Sequence, residues 1–405
     1  MNEPQTFRFR WLPRFRLRTL LILMCLLGAG LGLGGNFWRR LTKQRSAIAQ
    51  MEAAGGEVFF AHQVELSEDE VVISLDSPAP GPKILRRFLG DNAFATVVYV
   101  KLRDHPEFSQ INPRLLQTFS ELRKLDLPAD LNNDWLQQVA QLPQLQSLQI
   151  SSGPSWNPKK PISLAALSQS RSLHSLCLLL ESLSAENLSE VSQLRQLKEL
   201  TFLVPSGASP AMLRQLKGPE NLESLNVISS PIDWQGTIDF TKLPRLRALK
   251  MMMGSFDQAT LQVIGKLEHL EELELESIDF RDQDVSPLAN LLRLRRLELY
   301  GSNVGDSGVE SLAALPELQT LTLRGAQLTP SALASVSRLP ELQKLDIYWV
   351  KGEASEQQLW HLQALTQLQH LEIGPITATQ LAVLKKSLPT CEIRGWADDY
   401  RRLDP

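Results

Sequence analysis

Several short stretches carry residue types that could do chemistry. Gly305-Asp306-Ser307-Gly308-Val309 places a serine between small residues, as a nucleophile elbow does, but lacks the closing glycine. Asp282-x-Asp284 has two carboxylates at the spacing of a calcium loop, without the glycine or the distal glutamate that would complete the oxygen shell. Gly30-x-Gly32-x-x-Gly35 has the glycine spacing of a dinucleotide fingerprint, yet no strand precedes it and no ribose-binding acid stands in the right context. The six histidines (His62, His105, His174, His269, His361 and His370) have no metal-ligand spacing, and H-E-x-x-H, C-x-x-C and phosphate-loop patterns are absent. The first two stretches read as solvated turns and the third as part of an apolar run. No catalytic residue, cofactor or metal is expected.

Those turns belong to a larger pattern. From Leu246 to Glu341 a 24-residue sentence is written four times. One copy places apolar residues at Leu294, Leu297, Leu299, Val304, Val309, Leu312 and Leu315, and the next at Leu318, Leu321, Leu323, Leu328, Leu333, Val336 and Leu339. Leu297 and Leu299 are two apart, so both side chains point to one face of a short strand. Val309, Leu312 and Leu315 recur every three residues, as a short helix or 3₁₀ turn packing one face inward requires. A fixed period of this length is the mark of a solenoid, in which one copy cannot bury its apolar face alone and must stack on its neighbours.

The recurring Leu-x-x-Leu-x-Leu frame resembles the leucine-rich repeat family. That resemblance implies an α/β solenoid with a parallel sheet on a concave face and short helices or 3₁₀ turns on a convex one. The family's Asn or Cys at the ninth position is replaced here by Ser230, Gly254, Ile278, Ser302 and Ala326. The turns therefore rely on close backbone packing of small residues, more like the bacterial members. First positions fall at Val97, Leu122, Leu145, Leu173, Leu197, Leu222, Leu246, Leu270, Leu294, Leu318, Leu342, Leu368 and Leu388. The one long step, of 28 residues, comes from an insertion at Gly153 to Pro161 that carries Trp156. The short last copy, with Cys391 at a buried strand position, should end the stack.

The residues before the repeats are of another kind. The chain has 405 residues and a net charge of −3, but residues 1–45 hold nine Lys and Arg against Glu3, leaving a body with a net charge of −11. An acidic body argues against nucleic acid as a partner. Residues 1–18 form a basic tip in which Arg8, Arg10, Arg14, Arg16 and Arg18 alternate with Phe7, Phe9, Trp11 and Phe15. Residues 19–38 then run without a charge, long enough as a helix to cross about 30 Å of hydrocarbon. A transmembrane helix is favoured over a cleaved signal peptide, because the run is long and no A-x-A site follows. Five arginines before the run and four bases after it favour a cytoplasmic N-terminus and an extracytoplasmic repeat domain. Gly28-x-x-x-Gly32 and Gly30-x-x-x-Gly34 could let two such helices approach as a homodimer, although a lone span rich in small residues is the plainer reading. A juxtamembrane helix is expected over 39–56, capped by Gly55-Gly56, and a small α/β capping module over 57–96. Within that module two strands are expected, around Val58-Phe59-Phe60 and Val71-Val72-Ile73, followed by an amphipathic helix over Lys83 to Leu89. The repeats fill 97–394 and a polar tail 395–405. Three cysteines, Cys25, Cys177 and Cys391, do not make a disulfide framework.

Function is sought on the concave face, where the third, fifth and seventh positions of each copy point outward. The seventh-position column holds Leu179, Leu203, Ile228 and Met252 in succession, an apolar stripe roughly 15–20 Å long at strand spacing. Beyond it come Glu276, Tyr300, Arg324 and Tyr348, with Glu272, Glu274, Glu298 and Trp349 alongside. An apolar patch flanked by charge and aromatics fits a protein partner. The expected function is a membrane-anchored, non-enzymatic recognition or scaffold protein. The competing reading is a structural envelope or assembly protein that self-associates.

Overall fold

The computed structural model describes residues 17–66, 71–102, 108–152, 162–205, 210–233, 239–255, 258–277, 285–301, 304–324, 327–349, 354–396 and 402–403, with the side chains of the first helix described from residue 35. Helix α1 runs unbroken from Leu17 to Ala53 and stops where Gly55 takes a φ of 74°. Its backbone therefore covers both the uncharged run and the expected juxtamembrane helix. Among the described residues no helix is long and apolar enough to cross a membrane. The run from Thr19 to Trp38 falls largely outside the described side chains.

The strands that follow are β1 (Glu57–Phe60), β2 (Val64–Leu66), β3 (Val71–Ile73), β4 (Val97–Lys101), β5 (Lys124–Pro128) and β6 (Ser147–Ser151). Next come β7 (Ser175–Leu179), β8 (Glu199–Val204), β9 (Ser224–Asp233), β10 (Ala248–Ser255) and β11 (Glu272–Ser277). The last are β12 (Arg296–Tyr300), β13 (Thr320–Arg324), β14 (Lys344–Tyr348), β15 (His370–Gly374), β16 (Glu392–Trp396) and β17 (Arg402–Leu403). Fifteen of them form one sheet in chain order, and β2 with β3 makes a separate antiparallel pair. Each repeat supplies one strand and returns through a short helix or 3₁₀ turn, such as Asp306–Leu312 or Ser286–Asn290. This is the leucine-rich repeat solenoid that the periodicity describes.

Register follows from the leucines. Leu249, Leu273, Leu297, Leu321, Leu345, Leu371 and Ile393 stand as Cα partners across seven successive strands. Leu249 through Leu371 are fully buried there. In the regular repeats the turn entering the strand is held by backbone hydrogen bonds: the Glu271 carbonyl accepts N–H bonds from Arg295 at 2.8 Å and Arg296 at 3.0 Å. The same double acceptance recurs at Arg247, Arg295 and Gln319. A ladder of this kind satisfies these turn N–H groups without calling on side chains.

One first position moves. Glu392 is the Cα partner of His370, which makes Thr390, not Leu388, the start of the last copy. The reason is the helix Ala378–Ser387, which uses Leu388 as its C-cap. Cys391 is accordingly half-buried rather than a core residue.

The two ends of the sheet are closed differently from its middle. At the N-terminal end β1 pairs antiparallel with β4, and the Phe59 ring stacks on Tyr99 with centroids 5.1 Å apart. Leu41, Ala47 and Met51 of α1, and Ala54 just after it, are buried at the same end. Gly56 sits so close that a Cβ there would come within 2.5 Å of the Leu102 side chain. Where two strands were expected between residues 57 and 75 there are three, because Val58-Phe59-Phe60 leaves to join the main sheet while β2 and β3 pair with each other. At the other end β17 runs antiparallel to β16.

Candidate functional site

Because side chains alternate along a strand, burying the last two leucines of the frame sends the third, fifth and seventh residues to the open face. Leu203 is the Cα partner of Ile228, and Ile228 of Met252. All three are half-buried, as is Leu179 on the strand before them. The row ends at Met252: register shifts after this residue against β9, and the β10–β11 pairing is likewise interrupted between Met251 and Gly254. A second row resumes at Glu276, which faces Tyr300, which faces Arg324. Tyr348 continues it and faces Gly374.

One expected member does not join this face. Trp349 is fully buried, because it directly follows Tyr348 and alternation turns it to the core. Its indole nitrogen lacks a hydrogen-bond partner there. Trp156 lies outside the described residues.

The rows have opposite characters. Beside the apolar row, Cys177 in the fifth-position column has its thiol pushed up to about 11, chiefly by burial and then by the nearby Asp126 carboxylate. At the N-terminal edge Tyr99 donates its hydroxyl to Asp126 Oδ2 at 2.6 Å, and the Lys124 ammonium lies 5.8 Å from the Tyr99 ring centroid. Burial raises the Asp126 carboxyl above its ordinary range, against the pull of the Tyr99 hydrogen bond and of Lys124 and Lys101.

From β10 onward the face is ionic. Lys250 pairs with Glu274 at 3.2 Å, and Arg296 reaches Glu272 and Glu298 at 3.6 Å each. Tyr300 donates to Glu298 Oε2 at 2.6 Å, and burial together with that carboxylate pushes its hydroxyl pKa well up. Arg324 Nε donates to Asp346 Oδ2 at 2.8 Å, and its other arm meets Glu372 at 3.3 Å. Arg394 closes the chain on Glu372 at 3.2 Å and Glu392 at 2.9 Å. Exposed pairs of this kind contribute little individually, but Asp346 is buried and leans on Arg324. At the far end Gly374 lets Tyr348 and Trp396 crowd together: a Cβ on it would lie 2.9 Å from Trp396 and 3.3 Å from the Tyr348 ring.

Asp346, Glu372, Arg394 and Trp396 were not singled out from the sequence. Their signal is positional: Asp346, Glu372 and Arg394 occupy the fifth-position column and Trp396 the seventh. The arrangement offers apolar contact and fixed charge. Among the described residues no group of three His, Cys, Asp or Glu is placed to hold a metal ion.

No family model and no curated protein matches this chain. Solved structures do. A chain of the Rad7–Elc1 complex of yeast is 16% identical, with 94% of this chain and 98% of that one covered and a TM-score of 0.50. An internalin of Listeria monocytogenes is 18% identical over 74% and 85% of the two chains, with a TM-score of 0.46. A leucine-rich repeat protein of Leptospira interrogans is 19% identical over 70% and 92%, with a TM-score of 0.35. At these identities the likeness is one of fold.

Proposed function

We propose that this chain is a non-enzymatic, protein-binding leucine-rich repeat module that recognises its partner on the open face of the sheet and is held at a membrane by residues 19–38. The observation that carries the reading is the registered row Leu203–Ile228–Met252, half-buried and apolar, standing next to a row of fixed charge and aromatic rings. A monomer gains nothing from apolar side chains on the wet face of a sheet, whereas an interface centres on such a patch and rims it with polar groups. Leu179, Leu203, Ile228 and Met252 are the apolar contacts, with Glu276, Tyr300, Arg324 and Tyr348 as a second contact area. Trp156 is assigned to the same partner through its insertion in the loop 153–161.

Membrane attachment rests on the uncharged run from Thr19 to Trp38 and on the continuous helical backbone from Leu17 to Ala53. The distribution of Arg and Lys around that run favours a cytoplasmic N-terminus with the repeats outside the cytoplasm. The test is crosslinking of the full chain in native membranes, comparing wild type with the double substitution Ile228→Asp and Met252→Asp. Loss of the crosslinked protein from a folded double variant supports the assignment. Undiminished capture removes the row from the binding surface.

A further inference from the structure

The exposed apolar residues of this molecule are unevenly placed. Nine large hydrophobic side chains are exposed among the described residues, and seven of them, Trp38, Val72, Ile73, Leu75, Ile84, Leu85 and Phe88, lie between residues 38 and 88. The densest group is on helix α2, Lys83–Leu89, which buries none of its seven residues. Ile84 is 75% exposed and Phe88 is 80% exposed. They are one helical turn apart and share a face with Leu85.

The helix is turned the wrong way for water. Arg86 points inward, with its side chain only 15% exposed, and pairs with Asp91 at 3.8 Å. Burial and that same guanidinium lower the pKa of His62 beneath it. A segment that turns Arg86 inward and Phe88 outward matches a surrounding that is apolar on that face.

The position of α2 says which surrounding that is. The 3₁₀ turn Asp91–Phe94 follows α2 and docks it on α1: Phe94 stacks on Phe37 with centroids 5.6 Å apart, and Gln44 Nε2 donates to the Ala95 carbonyl at 3.2 Å. Phe37 and Trp38 are the last residues of the uncharged run. From Trp38 to Arg45 the helix rises about 10 Å, and a bilayer carries roughly 5–8 Å of headgroup layer on each side of its hydrocarbon. Arg39, Arg40, Lys43 and Arg45 on α1 and Lys83 and Arg87 on α2 are exposed, and none has an ion-pair partner among the described residues.

We infer that α2 lies in the interface of a lipid bilayer, with Ile84, Leu85 and Phe88 at the boundary of headgroups and acyl chains and the surrounding Arg and Lys side chains on lipid phosphates. Short apolar faces edged with cations bind at that depth. The inference rests on the membrane anchor proposed above and adds a second contact that fixes how the repeats stand on the surface.

The test uses the full chain, with its three cysteines replaced by alanine, reconstituted in phosphatidylcholine vesicles containing phosphatidylglycerol. A nitroxide label is attached at Phe88→Cys or, as a reference on an exposed leucine of the repeats, at Leu292→Cys. The ratio of accessibility to oxygen over accessibility to a nickel chelate is expected to be several-fold higher at Phe88→Cys. Equal ratios in a chain that resists alkaline carbonate extraction overturn the inference and leave the anchor standing. Low accessibility to both reagents assigns the face to a protein neighbour, including a second copy of this chain, and also overturns it. Extraction of the chain by carbonate removes the anchor and the inference together.

Discussion

Ile228 and Met252 are Cα partners across β9 and β10, and Ser229, the next residue along β9, is buried and donates its hydroxyl to the Met252 carbonyl at 2.9 Å. The apolar pair on the open face is thus fixed by a side-chain hydrogen bond from the core side. Substituting both with Asp is expected to weaken partner capture by at least about tenfold, taking each anchor at roughly 1–2 kcal/mol. Circular dichroism and the urea midpoint should confirm that the variant remains folded. A folded variant with unchanged capture contradicts the assignment.

The Cys177 thiol, raised to about 11, should react slowly at neutral pH. Roughly one thiol in a thousand is ionised at pH 8. Alkylation by iodoacetamide, followed by mass spectrometry of the Cys177 peptide, is expected to accelerate steadily with pH to about 11. A partner seated on the neighbouring apolar row should slow it further. Rapid reaction at pH 8 would show that the residue is more open than its place beside Leu179 implies.

Asp126 supplies a pH dependence. Burial raises its carboxyl, so the folded chain holds that proton more tightly than the unfolded one. Its contribution to stability is fullest below the ordinary carboxylate range and is lost as pH climbs through the folded-state value. Asp126→Asn should therefore gain Tm relative to wild type as pH rises from about 3 to 7. Parallel Tm curves across that window would rule out Asp126 as the titrating group.

Gly265 is buried where one repeat meets the next, and a Cβ on it would stand 2.4 Å from the Pro287 carbonyl oxygen. Backbone cannot yield as a side-chain tip does. Gly265→Ala should cost roughly 1–3 kcal/mol in chemical unfolding. A variant as stable as wild type would mean that the two coils can slide apart without loss.

The repeat frame was readable because every copy obeys one local rule, two leucines on a strand and an apolar triplet on the return. Twelve first positions followed from that rule alone. Leu388 misled because an apolar residue can serve as a helix cap as well as a strand start, and only the ten-residue helix before it decides between them. Trp349 misled for a different reason: an aromatic beside a tyrosine on the open face looks like surface until the alternation is applied one residue further. The inverted face of α2 was not legible, since K-I-L-R-R-F-L has the same composition whichever side meets the core. Which residues reach outward there is set by Phe94 stacking on Phe37, a contact 57 residues apart along the chain.

The reversed strands at the two ends bear on how long this assembly can grow. Every internal strand offers its neighbour a parallel template, so a stack of such coils has no inherent length. By capping β4 with β1 and β16 with β17, both antiparallel, the chain presents a strand of the wrong polarity at either terminus. Another copy arriving end to end meets a strand of opposite polarity and cannot simply extend the parallel run. In that sense the parallel run is self-terminating: its length is set by the two reversed strands and not by the number of repeats that could be stacked.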